Sequence, residues 1–228
     1  MRAFWVYILG TMDKHIQKFR EHNDSLLPTW YRWQLHILLN FVLFLFFLYL
    51  GIKKVDLLSL YTPLFLALSI LAWGVIEYAL HRFILHGNVF NFLHFKKEHT
   101  VYHHTFFEDH EMNMQSAHDL NRTLLRPLDI FSVLALNWAL SIFIAAIVSE
   151  GFANYFYLGG VFYLFLYEVM HAMTHTYEGK NKFLLNIKEH HRKHHMKKEM
   201  NDINFAVVFP FLDNLFATNN LKSKGSRL

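Results

Sequence analysis

The chain of 228 residues is 54% hydrophobic, with 24 phenylalanines, 17 histidines, no cysteine and a net charge of +4 when histidine is neutral. That composition excludes a disordered segment, a collagen, a coiled coil and a disulfide-stapled module. Without cysteine there is no thiolate metal site, thiol nucleophile or iron–sulfur cluster. The N-terminal stretch MRAFWVYILG is apolar but too short to span a bilayer, and no small-residue cleavage site follows it. An interfacial helix to about Phe19 is expected, within an N-terminal segment of residues 1–34. Four apolar stretches follow at about 35–51, 57–80, 128–149 and 152–170. Each has the roughly 17 to 24 residues that cross a hydrocarbon core as a helix. Trp30, Tyr31 and Trp33 precede the first, as interfacial aromatics do.

Four spans put the N-terminus, residues 81–127 and residues 171–228 on one side. Of 22 Lys and Arg residues, only Lys53 and Lys54 fall on the other. The positive-inside rule makes the first side cytoplasmic. No nucleic-acid-binding module is recognised. No repeat or linker divides the chain, so 1–228 reads as a single domain. The fold class is all-α: an integral membrane core of four transmembrane helices with a cytosolic, helical, histidine-rich dimetal cap from 81–127 and 171–218.

The histidines fall into four clusters, His81 with His86, His99 with His103 and His104, His171 with His175, and His191 with His194 and His195. All four lie just beyond the second or the fourth span, on the same predicted side. Spacings of three and four put two imidazoles on one helix face. The spacing of five between His81 and His86 does not on a straight α-helix, and suits a helix end. Imidazole is the commonest metal-binding side chain and binds when neutral. Ten rings exceed what one ion accepts and suit two. His15, His22, His36, His110 and His118 read as surface or core residues, while His94 and His190 adjoin the clusters and stay open. Glu77 and Glu168 end otherwise apolar spans, where a carboxylate is costly unless paired. They are expected to accept N–H groups from metal-bound histidines. The HExxH helix, the Gly-rich phosphate loop and the GxSxG elbow are absent.

At these residues the sequence resembles the fatty acid hydroxylase superfamily of membrane histidine-box oxygenases, which includes sterol desaturases and fatty acid 2-hydroxylases. The stretch from Glu77 to His86 resembles the first box with its preceding acid, and Tyr167 to His175 the third. His191 to His195, followed by Asn204, Phe205 and the run Asp213 to Thr218, resembles the last box and its tail. The second box is His-x3-His-His here, where 2-hydroxylases commonly have His-x2-His-His. The resemblance implies that the ten clustered histidines are the dimetal ligands. It also implies two iron ions (with zinc possible in purified protein), O2 as co-substrate and a lipid substrate. No fused cytochrome b5 domain precedes the core, so a separate electron-transfer protein of cytochrome b5 or ferredoxin type is expected. The expected activity is O2-dependent hydroxylation of an aliphatic C–H bond, most simply of a fatty acyl chain, in a bacterial inner membrane or the endoplasmic reticulum. A desaturase, a sterol or carotenoid hydroxylase, and a non-oxidative membrane zinc- or iron-binding protein are the alternatives. Phe162, Tyr163, Phe165 and Tyr167 are candidates to line a route from the bilayer, with lipid-facing or helix-packing side chains the expectation for most of them.

Overall fold

The computed structural model describes residues 2–28, 31–87 and 93–219, with side chains from residue 14 onward; Trp30 lies outside these. The described residues are all helix, turn and loop, without strands. Helix α1 (Arg2–Ser25) is followed by α2 (Trp33–Ile52) and α3 (Thr62–Ala79), which runs on as a π-helical turn, Leu80–Leu85. Short elements come next: α4 (Leu93–Lys96), a π-helical segment (Lys97–His103), α5 (His104–Phe106) and α6 (Leu120–Thr123). The long helices α7 (Pro127–Ile147) and α8 (Glu150–Thr174) complete the bundle, and α9 (Lys182–His194) and α10 (Phe211–Leu215) close the chain.

Four helices are long and apolar enough to cross a membrane, and they match the four expected stretches. Their ends differ by a few residues. The fourth begins at Glu150 because Ser149 caps it, its hydroxyl accepting the Phe152 N–H at 3.2 Å. The second continues past residue 80 because its last turn widens rather than stops.

Helix α8 is the hub: 56% of its apolar stretch is buried, against 22% for α2. Small residues let its neighbours approach, as membrane helices require in the absence of a hydrophobic driving force. A Cβ at Gly159 would lie 2.4 Å from Cβ of Ser69 on α3, and one at Gly160 would lie 2.5 Å from both Asn137 Oδ1 and Trp73 Nε1. Asn137 Nδ2 donates to the Tyr157 carbonyl at 2.9 Å, tying α7 to α8. The outward faces of α2 and α7 are apolar, with Phe41, Phe46, Trp138 and Phe143 at least half exposed. Such faces suit lipid. The loop from α2 to α3 and the turn from α7 to α8 lie at one end of the bundle. All the clustered histidines lie at the other.

Candidate metal centre

The π-helical turns decide how the first two clusters are read. A π turn bonds i to i+5 rather than i+4, and the His86 N–H donates to the His81 carbonyl at 3.1 Å. Residues five apart therefore stack. The His81 and His86 rings lie 5.1 Å apart, and His99 and His104, also five apart on the second π segment, lie 4.8 Å apart. The spacing of five is thus a shared face, because the backbone is wider than an α-helix at that point.

The ten clustered histidines converge, all buried. They sort into two groups that cut across the sequence clusters. His81, His86, His99, His104 and His194 form one, and His103, His171, His175 and His191 form the other, with ring nitrogens within 4.8 Å of one another in each. His195 lies between the groups. Its ring stacks on His104 at 4.2 Å, and its Nε2 lies 3.1 Å from His191 Nε2.

The outer nitrogens settle the tautomers of five rings. The Nδ1 atoms of His103, His175 and His194 face the carbonyls of Arg122 (2.7 Å), Met112 (2.9 Å) and Ile203 (2.9 Å). Those of His81 and His195 face the carbonyls of Phe205 and Phe107. A carbonyl only accepts, so each of these nitrogens carries the hydrogen and each Nε2 presents a lone pair inward. His171 in turn bonds the Thr123 backbone. Yet His171 Nε2 faces His103 Nε2 at 3.2 Å, and His191 Nε2 faces His175 Nε2 at 3.3 Å. Where His103 and His171 meet, both with their outer bonds made, two lone pairs cannot hydrogen-bond, but a shared cation would satisfy both. Two nitrogens each about 2.1 Å from one ion would lie about 3.0 Å apart at a right angle and about 3.4 Å apart at the tetrahedral angle. His81 Nε2 and His99 Nε2 are 2.8 Å apart, and the buried Nε2 atoms of His86 and His194 have no protein partner. The donor set fits two imidazole-ligated ions.

Burial disfavours the charged form of eight of these rings, and ligation requires the neutral one. It pushes His86 down to about 3, helped by the neighbouring His81. His99, His103, His104, His175, His191, His194 and His195 are held well below the ordinary imidazole range, first by burial and then by neighbouring histidines.

The two carboxylates differ. Glu77 sits beside the centre, with Oε1 3.8 Å from His81 Nδ1, and accepts from the Tyr163 hydroxyl at 3.2 Å and the Val207 N–H at 3.4 Å. Glu168 instead accepts the Leu125 N–H at 3.1 Å and bonds no imidazole among the described residues. Backbone carbonyls fill the role expected of carboxylates. His94 pairs with Arg126, and His190 Nε2 pairs with Asp213 Oδ2 at 3.0 Å, so both support the surroundings rather than join the groups. His36 is a core residue, bonded to Tyr31 and the Leu125 carbonyl.

Asp213 is a supporting residue that the sequence flagged only as part of the last tail. Fully buried, it accepts the N–H groups of Phe205 (2.8 Å) and Ala206 (2.9 Å) and the Thr218 hydroxyl (2.8 Å). It thereby fixes the Phe205 carbonyl on His81. Asn204 enters this loop with φ 56° and donates to the His190 carbonyl. Asparagine is among the few side chains that tolerate that conformation.

A cavity of about 440 Å³ runs from His81 down between α3, α7 and α8. Its wall is almost wholly apolar, with Trp73 deep and Glu77, Tyr163 and Tyr167 nearer the histidines. Helix α3 rises 1.5 Å per residue, so Trp73 lies about 12 Å from His81 along its axis. A smaller pocket shares Leu85, Leu125 and Tyr167 with the cavity and reaches His99, His103 and His171. Phe162 and Phe165 face outward, so of the four aromatics considered only the tyrosines line the route.

The sequence model of the fatty acid hydroxylase family matches residues 66–218, and the chain belongs to that family. It is similar to the fatty acid 2-hydroxylases of Rattus norvegicus and Mus musculus, 27% identical over 161 residues. That stretch covers 70% of this chain and 40% of each relative, so the chain spans less than half the length of these proteins. A solved structure of full-length scs7p, with only the hydroxylase domain visible, has the same fold: TM-score 0.57 at 20% identity, over 86% of this chain and 69% of that one.

Proposed function

We propose that this protein is a membrane-bound di-iron oxygenase that hydroxylates an aliphatic C–H bond of a lipid, most simply a fatty acyl chain. One observation carries the reading. His81 belongs to a buried imidazole group and also forms the end wall of an apolar cavity between membrane-crossing helices. In this reading His81, His86, His99, His104 and His194 hold one ion, and His103, His171, His175 and His191 hold the other, with His195 between them. The names of the fatty acid 2-hydroxylase relatives agree with an acyl substrate.

When bound, the ions supply O2 activation and removal of hydrogen from an unactivated carbon. That is redox chemistry, which iron supports and zinc does not. The chain's own residues supply the rest. The carbonyls of Phe205, Arg122, Met112, Ile203 and Phe107 orient the imidazoles before any ion arrives. The cavity wall excludes water and aligns an acyl chain with its reacting carbon toward His81. Tyr163 and Val207 hold the Glu77 carboxylate beside that end. Electrons come from a separate carrier protein. The excess of Lys and Arg at the histidine end supports a cytoplasmic centre.

Detergent-purified protein should contain two irons per chain. Membranes carrying it, supplied with O2 and a reductase system, should add one oxygen atom to an acyl chain, read by mass spectrometry. Folded protein that takes up no metal, or holds only zinc that iron does not replace, would overturn this assignment.

A further inference from the structure

Helix α1 lies outside the stretch matched by the family model. Ile16, Arg20 and Asn23, spaced i, i+4 and i+7, form one buried face, while Lys14, His15, Gln17, Lys18, Glu21 and His22 are exposed. A buried arginine and a buried asparagine on the inner face need partners. Arg20 Nε donates to the Phe106 carbonyl at 3.0 Å, and Nη2 to the Glu111 carbonyl at 3.0 Å. The guanidinium also lies 4.8 Å from the Phe106 ring centre and 5.5 Å from that of Phe107. Asn23 Oδ1 accepts from Arg122 Nη2 at 2.5 Å.

These targets adjoin chiefly the outer shell of one imidazole group, although Phe106 shares α5 with His104 and Arg122 pairs with Glu98 beside His99. The segment pinned by Arg20 carries the Phe107 carbonyl that takes the His195 N–H and the Met112 carbonyl that takes the His175 N–H. The Phe107 ring lies 4.2 Å from that of His175. The residue held by Asn23 supplies the carbonyl for His103. In the other group, His81, His86 and His194 bond Phe205, Asn201 and Ile203, none of which α1 contacts through these side chains.

We infer that α1 is a strap chiefly for one metal site: Arg20 and Asn23 are positioning residues that preset His103, His175 and His195, and so control occupancy of the His103–His171–His175–His191 site more than that of the other. This rests on the two-ion reading above. Arginine is needed because its fork reaches two carbonyls at once, which an ammonium on a flexible stem does not reproduce.

The test uses the full chain in detergent, stripped by a chelator and titrated anaerobically with ferrous iron. Bound iron per chain, the affinity of each step and thermal unfolding are measured. Wild type should bind two ions. R20A should keep the tight step of the His81 group and weaken the other about 10–100-fold, the usual consequence of losing an outer-shell partner. N23A should shift the same step less, and R20K should fall between R20A and wild type. A variant that binds two ions as wild type does, or weakens both steps equally, overturns the strap. Should R20A not accumulate as folded protein, N23A and R20K decide by the same criterion. Fewer than two ions in wild type would instead remove the two-ion reading, and the strap with it.

Discussion

The two imidazole groups meet in one buried cluster, but different parts of the chain hold them. His81, His86 and His194 take their outer hydrogen bonds from residues 201–205, a loop gathered around Asp213. His103, His175 and His195 take theirs from residues 107–122, and α1 braces that stretch from the far side. The first support is one loop: Asp213 holds it from eight residues further on, and it reaches His86 and His81 across 115 and 124 residues of chain. The second is assembled from separate places: residues 107 and 112, residue 122, and α1, whose Arg20 lies 86 residues before Phe106. Groups with separate scaffolds can be damaged separately, and several measurements would break or sharpen that distinction.

The largest effect should come from acid, acting on both groups together. Eight histidines outside the membrane-crossing segments are held below the ordinary imidazole range, His86 at about 3. In the unfolded chain they titrate near 6.5. Between those values the unfolded state binds more protons, so the stability of metal-free protein rises with pH and is lost as pH falls from about 6.5. Each histidine contributes up to about 1.4 kcal/mol per pH unit. Denaturation of stripped protein at stepped pH should show a steep decline below neutrality, and a flat profile from pH 7 to 5 would contradict it. A single transition would join the groups into one cooperative unit, and two would confirm that their scaffolds yield independently. Bound metal should shift the decline to lower pH, because it competes with protons for the same nitrogens.

Removal of one ring from each group comes next. His194→Ala and His175→Ala should each lower hydroxylation by at least about 100-fold, since changes one shell further out already cost about 10–100-fold. Iron content should fall by about one ion per chain in each variant, from different sites. Loss of both ions from either variant would show that the groups are not separable. Asp213→Ala is smaller but more selective. It leaves the buried N–H groups of Phe205 and Ala206 without their acceptor, costing about 3 kcal/mol or more. It should loosen the ion held by the His81 group and spare the other, the reverse of the pattern expected from Arg20. Thermal unfolding and stepwise iron titration measure both parts.

Much of this was legible in the sequence, for definite physical reasons. An uninterrupted run of about 20 apolar residues has the length a helix needs to cross the hydrocarbon core, and the histidines stood where such runs ended. All ten converge in one buried cluster. Their division between two groups was not legible, because it depends on π turns that bring residues five apart together and on how α9 packs against the rest. His103 and His104 are neighbours in sequence and belong to different groups. The partners of the imidazoles were not legible either. Glu168 looked like one by position, yet it caps the backbone at Leu125, and the acceptors in use are mostly main-chain carbonyls, which no residue type announces. The aromatics of α8 divided by face: residues 162 and 165 lie on the exposed outer face, and residues 163 and 167 meet the cavity.

That division supplies the smallest test, and one confined to the His81 side. Phe162 is 41% exposed on the lipid face. Lipid tails are as apolar as the side chain they replace, so Phe162→Ala should change stability by less than about 1 kcal/mol and leave activity near wild type. Tyr163→Phe removes only a hydroxyl, but that hydroxyl donates to Glu77, and its loss should cost about 1 kcal/mol. Glu77 retains the Val207 N–H, so the carboxylate is loosened rather than freed. Because Glu77 sits 3.8 Å from His81, the change should register in the iron-binding step of the His81 group and be silent in the other. If Tyr163→Phe altered both binding steps alike, Glu77 would be supporting the bundle as a whole, and the separate scaffolding of the two groups would stop at the membrane end of the centre.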